Sequence, residues 1–86
     1  MQFEYDSSKS EANRKKHGIS FKDAQGLWVD DHRIEIPARV TDEPRWLVIG
    51  RLVGKVWAAV VTYREDSVRI ISVRRARVKE MALYES

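Results

Sequence analysis

The chain has 86 residues, 43% of them hydrophobic and 34% charged, with 16 Lys and Arg against 13 Asp and Glu and no cysteine. That length makes a single domain, residues 1–86, with a small core. The composition excludes a disordered chain, and the missing cysteine excludes disulfides and thiolate metal sites. The longest apolar run, Val56 to Val61, is about a third of a membrane span. Met1-Gln2-Phe3-Glu4-Tyr5-Asp6 lacks the basic start and apolar stretch of a secretory signal. The expectation is a cytoplasmic protein without membrane association.

Taken in chain order, Gln2 to Tyr5 alternates aromatic and polar residues and predicts a short strand. Asp6 reads as the N-cap of a polar helix that runs to about Lys16 and ends in Arg14-Lys15-Lys16-His17, with Gly18 as its left-handed cap. Ser20-Phe21-Lys22-Asp23 resembles a capping box and opens a second helix. Phe21, Ala24 and Trp28 form its apolar face, Gly26 weakens it and Asp30-Asp31 ends it. Arg33 to Pro37 predicts a strand with Ile34 and Ile36 on one face, and Arg39 to Pro44 a loop. Three more strands follow, Arg45 to Leu52, Val56 to Tyr63 and Val68 to Val73, joined by tight turns at Leu52-Val53-Gly54-Lys55 and Arg64-Glu65-Asp66-Ser67. Such short connections imply an antiparallel meander. Arg74 to Tyr84 favours helix. The order β-α-α-β-β-β-β-α, with two helices before an antiparallel sheet and one after it, is an α+β fold.

The charge is unevenly placed. Lys9 to Lys22 holds five basic residues and one acid, Asp23 to Arg45 six acids and three basic residues, and Arg64 to Lys79 six basic residues and two acids. Two basic blocks brought together by the fold would make a positive face that attracts phosphate backbones; kept apart, they are solvated surface. No metal site is expected, because His17 and His32 lack a second ligand at helical spacing and Asp30-Asp31-His32 reads as a solvated acidic turn.

Strand alternation puts Arg69 on one face with Ile71 and Val73, partly shielded. Either Arg69 and Arg64 grip a phosphate, or Arg69 pairs with Glu80 or another acid. Arg74, Arg75 and Arg77 supply positive surface. His17, beside Lys15 and Lys16, is either a base or a helix-terminal cap. Glu80 and Tyr84 share a helical face and offer a carboxylate and a phenol to a site, or simply to each other. Trp28, Trp46 and Trp57 are core residues unless one is a base-stacking platform.

Phe3-Glu4-Tyr5-Asp6, Lys9, Asn13, Lys16-His17-Gly18-Ile19-Ser20-Phe21 and Ala24, followed by Arg45, Ile49-Gly50-Arg51, Arg69-Ile70-Ile71-Ser72-Val73-Arg74-Arg75-Ala76, Glu80 and Tyr84, resemble the BrnT family of bacterial toxins over nearly the whole chain. The resemblance implies a RelE-like fold and a type II toxin that stops translation by cutting RNA, either free or as ribosome-bound mRNA, without a metal or other cofactor. It also implies a BrnA-like antitoxin partner. Its ribbon-helix-helix part would bind operator DNA, with toxin and antitoxin in an autorepressing heterotetramer.

On that reading Arg64 and Arg69 stabilise the phosphorane, with Arg74 or Arg75 in reserve and Arg77 beside them. His17 or Glu80 is the base, Tyr84 orients the base or the nucleotide, and Lys15 and Lys16 position the backbone. Ile34 and Ile36, on a candidate edge strand, are expected to meet the antitoxin. The alternative is a module that binds RNA or a partner without catalysis, or an inactive toxin kept as a subunit of the regulatory complex.

Overall fold

The computed structural model describes residues 1–38 and 42–86. It contains β1 (Gln2–Glu4), α1 (Ser7–His17), α2 (Phe21–Ala24), β2 (Ile34–Pro37), β3 (Trp46–Leu52), β4 (Lys55–Arg64), β5 (Ser67–Arg75) and α3 (Val78–Glu85). The fold is α+β with the element order the sequence predicts. The predicted loop runs through Arg39, Val40 and Thr41, which lie outside the described residues.

The local signals act as their chemistry requires. Asp6 Oδ1 accepts from the Lys9 N–H at 3.0 Å, and Gly18, at φ +82°, turns α1 off with its N–H donating to the Arg14 carbonyl. Ser20 Oγ accepts from the Asp23 N–H at 3.1 Å. Regular α-helix from that cap lasts only four residues, then tightens into a 3-10 turn over Gln25–Val29. In a 3-10 turn, side chains three apart line up. Phe21, Ala24 and Leu27 do so and are all buried, so Leu27 takes the place expected for Trp28, which is only half-buried. Gly26 lies against Leu52, with room for no Cβ unless the Leu52 side chain moves.

Five strands form one sheet in the order β1-β5-β4-β3-β2. β2, β3, β4 and β5 are antiparallel neighbours, but β1 runs parallel to β5, with Phe3 opposite Val68 and Glu4 opposite Arg69. The sheet is therefore mixed, which corrects the all-antiparallel expectation. The tight turns dictate direction only within the meander. β1 has no turn linking it to its neighbour, so its direction is set by how α1 packs back onto the sheet.

β5 also departs from simple alternation. Val60 pairs with Ser72 and Val61 with Ile70, so Ile71 is an unpaired bulge residue. The bulge shifts the phase by one, and Val73 joins Val68 and Ile70 in the main core instead of sharing a face with Arg69. That core lies between one sheet face (Val48, Trp57, Ala59 and Val61) and the α1–α2 layer (Ile19, Phe21, Ala24 and Leu27). The opposite face carries a smaller cluster of Ile49, Val56 and Ala58, on which Met81 and Tyr84 of α3 rest. An eight-residue helix is about 12 Å long and a ten-residue strand about 33 Å, so α3 covers only one end of this face. Finally, α3 begins at Val78 with Arg77 as its N-cap, and Arg74 and Arg75 belong to β5.

Candidate active site

The open end of the second face holds a cluster of charge. Thr62 is opposite Arg69, and Arg69 is opposite Glu4. Arg64 follows Thr62 by two residues and so shares its face. Its guanidinium donates to Glu4 at 3.2 Å and to Glu43 at 3.5 Å. Arg64 and Arg69 are thus brought together by adjacent strands. Arg69 meets no carboxylate within ion-pair distance among the described residues, and neither does Arg45. Thr62 is 2% exposed and donates its hydroxyl to the Pro44 carbonyl at 2.9 Å.

Beyond Glu4 the outer edge of β5 has no strand beside it, and α1 supplies the missing partner. Asn13 Oδ1 accepts from the Val73 N–H at 3.2 Å, while Asn13 Nδ2 donates to the Ile19 carbonyl at 2.8 Å. Ser10 Oγ accepts from the Phe21 N–H at 2.9 Å. These buried bonds explain how a polar helix docks with so little apolar surface. They also set the first basic block beside the second. A cleft of about 240 Å³ lies between them, lined by Lys9, Asn13, Lys16, His17, Ile71 and Ser72. Lys15 is exposed on the last turn of α1 and does not line it.

Glu80 and Tyr84 sit elsewhere, on α3. Arg74 grips Glu80 with two hydrogen bonds, 2.7 and 2.8 Å, and the Arg77 N–H donates a third at 2.8 Å. Arg74 first, with help from Arg77, holds the Glu80 carboxyl below its ordinary value despite its partial burial. The expected alternative partner for Arg69, Glu80, is therefore taken by Arg74. Both Glu80 oxygens are committed, which makes it a capping and pairing group and a poor proton acceptor. Tyr84 donates to Asp30 Oδ2 at 2.5 Å, and that bond, with burial, raises its phenol pKa. The Arg51 guanidinium lies 5.7 Å from the Tyr84 ring centre. Neither residue shares a site with Arg64 and Arg69.

The remaining candidates fall into place by element. Arg75 lies on the helix-covered face, 5.5 Å above the Trp57 ring, and Arg77 is exposed. Trp57 is core, while Trp28 packs edge-on to Phe3 and Trp46 to Tyr63 against it. Asp30 accepts from the His32 and Arg51 N–H groups as well as from Tyr84. Among the described residues no group of three or more His, Asp or Glu converges to hold a metal ion. Ile34 and Ile36 lie on the outermost strand, with their side chains on the smaller cluster beside Met81 and Tyr84.

Sequence reasoning left three contributors without a role: Asn13 as edge partner, Glu4 as the acid beside Arg64, and Arg45. The polar spacing of α1 holds no signal for Asn13. Arg45 was findable by counting back along the hairpin from its Val53-Gly54 turn.

No curated protein matches the chain. A family model described as ribonuclease toxin, BrnT, of type II toxin-antitoxin system matches residues 5–80. That span takes in the α1 cleft, the arginines of β4 and β5, and Glu80 of α3. The chain belongs to the BrnT family of ribonuclease toxins of type II toxin–antitoxin systems.

Proposed function

We propose that this chain is an endoribonuclease of RelE-like architecture that cuts RNA without a metal and thereby inhibits translation in the cytoplasm. The observation that carries the reading is that α1, the helix of the first basic block, packs against β5, the strand that carries Arg69 of the second. Arg69 faces the open sheet there. Ile71 and Ser72, two and three residues further on, line the cleft that holds Lys16 and His17.

The chemistry follows from those groups. His17 takes the proton from an RNA 2′-hydroxyl. The 2′-oxygen forms a bond to the adjacent phosphorus, the bond from phosphorus to the 5′-oxygen breaks, and that oxygen takes a proton from water. The products are a 2′,3′-cyclic phosphate and a 5′-hydroxyl. Arg69 and Arg64 meet the charge that grows on the phosphorane. Arg64 is half exposed in its pairs with Glu4 and Glu43, and such surface pairs are worth only about 0.2–1 kcal/mol, so a phosphate can replace them. Lys15 and Lys16 hold the backbone on either side. Of the two base candidates, His17 pairs with no acid among the described residues, whereas Glu80 is held by Arg74.

The antitoxin is a BrnA-like ribbon-helix-helix protein that joins the toxin in a heterotetramer and alone touches operator DNA. Ile34 and Ile36 support an antitoxin contact because they lie on an edge strand, beside the only partly covered sheet face.

The test is to map new RNA 5′ ends in bacteria minutes after induction of this chain alone, beside Arg64→Ala/Arg69→Ala. Discrete new ends and growth arrest with wild type only are expected. Equal arrest by the double variant at equal abundance removes these arginines from the site. Intact RNA retained by folded wild-type protein identifies a non-catalytic binder.

A further inference from the structure

The resemblance singles out Arg45, yet the chemistry proposed above leaves it without a task. The β3–β4 hairpin keeps one register from Leu52 opposite Lys55 to Trp46 opposite Val61. The ladder ends at Trp46, and the same path carried one residue further brings Arg45 level with Thr62. Two bonds hold the chain to that path: the Ala38 N–H donates to the Arg45 carbonyl at 2.8 Å, and Thr62 donates to the Pro44 carbonyl at 2.9 Å. Thr62 in turn is opposite Arg69. Arg45, Thr62 and Arg69 therefore form one cross-strand row on the second face of the sheet.

Two features of that row point to an anion. The Arg45 Nε is buried and has no hydrogen-bond partner among the described residues, although buried donors in folded proteins nearly always have one. Thr62 is 2% exposed on the face that α3 leaves open, so neighbouring side chains cover it. Strands lie about 4.8 Å apart, which puts the outer two Cα atoms of the row about 10 Å from each other. Two arginine side chains spanning that gap over a neutral hydroxyl can hold one phosphate between them. Among the described residues neither arginine has a carboxylate within ion-pair distance, although Asp6 lies close enough to Arg69 to be stabilised by its charge.

We propose that Arg45 and Arg69 form a two-arginine clamp, floored by Thr62, for the scissile phosphodiester of single-stranded RNA. This rests on the ribonuclease reading and deepens it. Arg45 contacts a non-bridging phosphate oxygen through its fork, Arg69 does so from the other side, and Arg64 meets the same phosphate from the border of the clamp once its surface pairs with Glu4 and Glu43 give way.

The test follows the arginine Nε–Hε resonances of the wild-type chain while a 2′-O-methyl oligoribonucleotide, which cannot be cut, is titrated in. Saturable shifts of Arg45 and Arg69 with one midpoint are expected. In parallel, cleavage of the matching 2′-hydroxyl RNA is measured for wild type, Arg45→Ala and Arg45→Lys, with circular dichroism as the check on folding. Arg45→Ala is expected to lower kcat about 100-fold, the loss typical of one charge-stabilising donor, and lysine, a point charge without the fork, to recover little of it. If wild type cuts RNA but the Arg45 resonance does not move, or Arg45→Ala folds and cuts within threefold of wild type, the clamp is wrong and the ribonuclease reading stands. If wild type cuts nothing while both resonances follow the oligonucleotide, the clamp stands and the ribonuclease reading falls.

Discussion

Arg74 and Glu80 face each other in a forked pair, two guanidinium nitrogens on two carboxylate oxygens at 2.7 and 2.8 Å, and this pair joins the last strand to the last helix. No residue of α3 is fully buried, so the helix leans on it. Hydrogen bonds to charged groups are worth about 1.5–3 kcal/mol. Glu80→Gln is expected to destabilise the chain by about 2 kcal/mol and to raise hydrogen exchange across Val78–Glu85 first. Cleavage should keep its pH profile in this variant; loss of a limb of that profile would return Glu80 to the base role.

The same helix should be the acid-sensitive part of the protein. Glu80 is held below its ordinary 4.5 by Arg74 and Arg77. Burial pushes the Asp30 carboxyl up from 3.8, but bonds from Tyr84 and from the Arg51 and His32 N–H groups outweigh it and leave it lowered. A depressed carboxyl contributes stability that is whole above its unfolded value and disappears as pH falls through its folded value. Exchange protection of α3 should therefore be constant from neutrality to about pH 5 and drop below about pH 4.5, before the central strands open. Glu80→Gln should flatten part of that drop.

Asn13 is the polar pin of the first helix. Truncating it leaves the Val73 N–H and the Ile19 carbonyl without partners in a buried place. Each orphaned group costs about 1–3 kcal/mol. Asn13→Ala should lower the unfolding free energy by about 3 kcal/mol, read from urea midpoints. The Val73 amide should lose protection more than its neighbours.

The β3–β4 turn stores strain. Val53 has φ +50° and is 90% exposed, followed by Gly54 at +75°. A β-branched residue is a poor occupant of that left-handed position, whereas Asn-Gly suits it. Val53→Asn should stabilise by about 1 kcal/mol and raise Tm by about 4–8 °C. An unchanged Tm would mean that the turn relaxes elsewhere.

His17 carries the sharpest catalytic prediction. His17→Gln should lower kcat by about 10²–10⁴. Binding of an uncleavable RNA should stay near wild type. A fall in binding with unchanged kcat would make His17 a contact residue.

The parts legible in the sequence are those governed by near neighbours. Asp6, Gly18 and Ser20 cap helices through contacts within four residues, and Val53-Gly54 turns a hairpin whose strands follow at once. The two basic blocks were legible too, and so was Arg69 on a strand, whereas Arg64, expected in the turn, is the last residue of β4. The length of the second helix was not, because Leu27 beats Trp28 for the core only once Gly26 meets Leu52 of a distant strand.

The chain's sequence by itself determined the kinds and order of its elements, its caps, its turns and its family, since each depends on short-range chemistry or on a pattern of residue types. Tertiary structure alone decided the parallel course of β1, the bulge at Ile71 that moves Val73 away from the face of Arg69, and the acid that each arginine meets. Glu4 reaches Arg64 across 60 residues and Asp30 reaches Tyr84 across 54. Such pairings depend on which strands become neighbours, and strand neighbours are chosen by burial of the whole sheet rather than by any local segment.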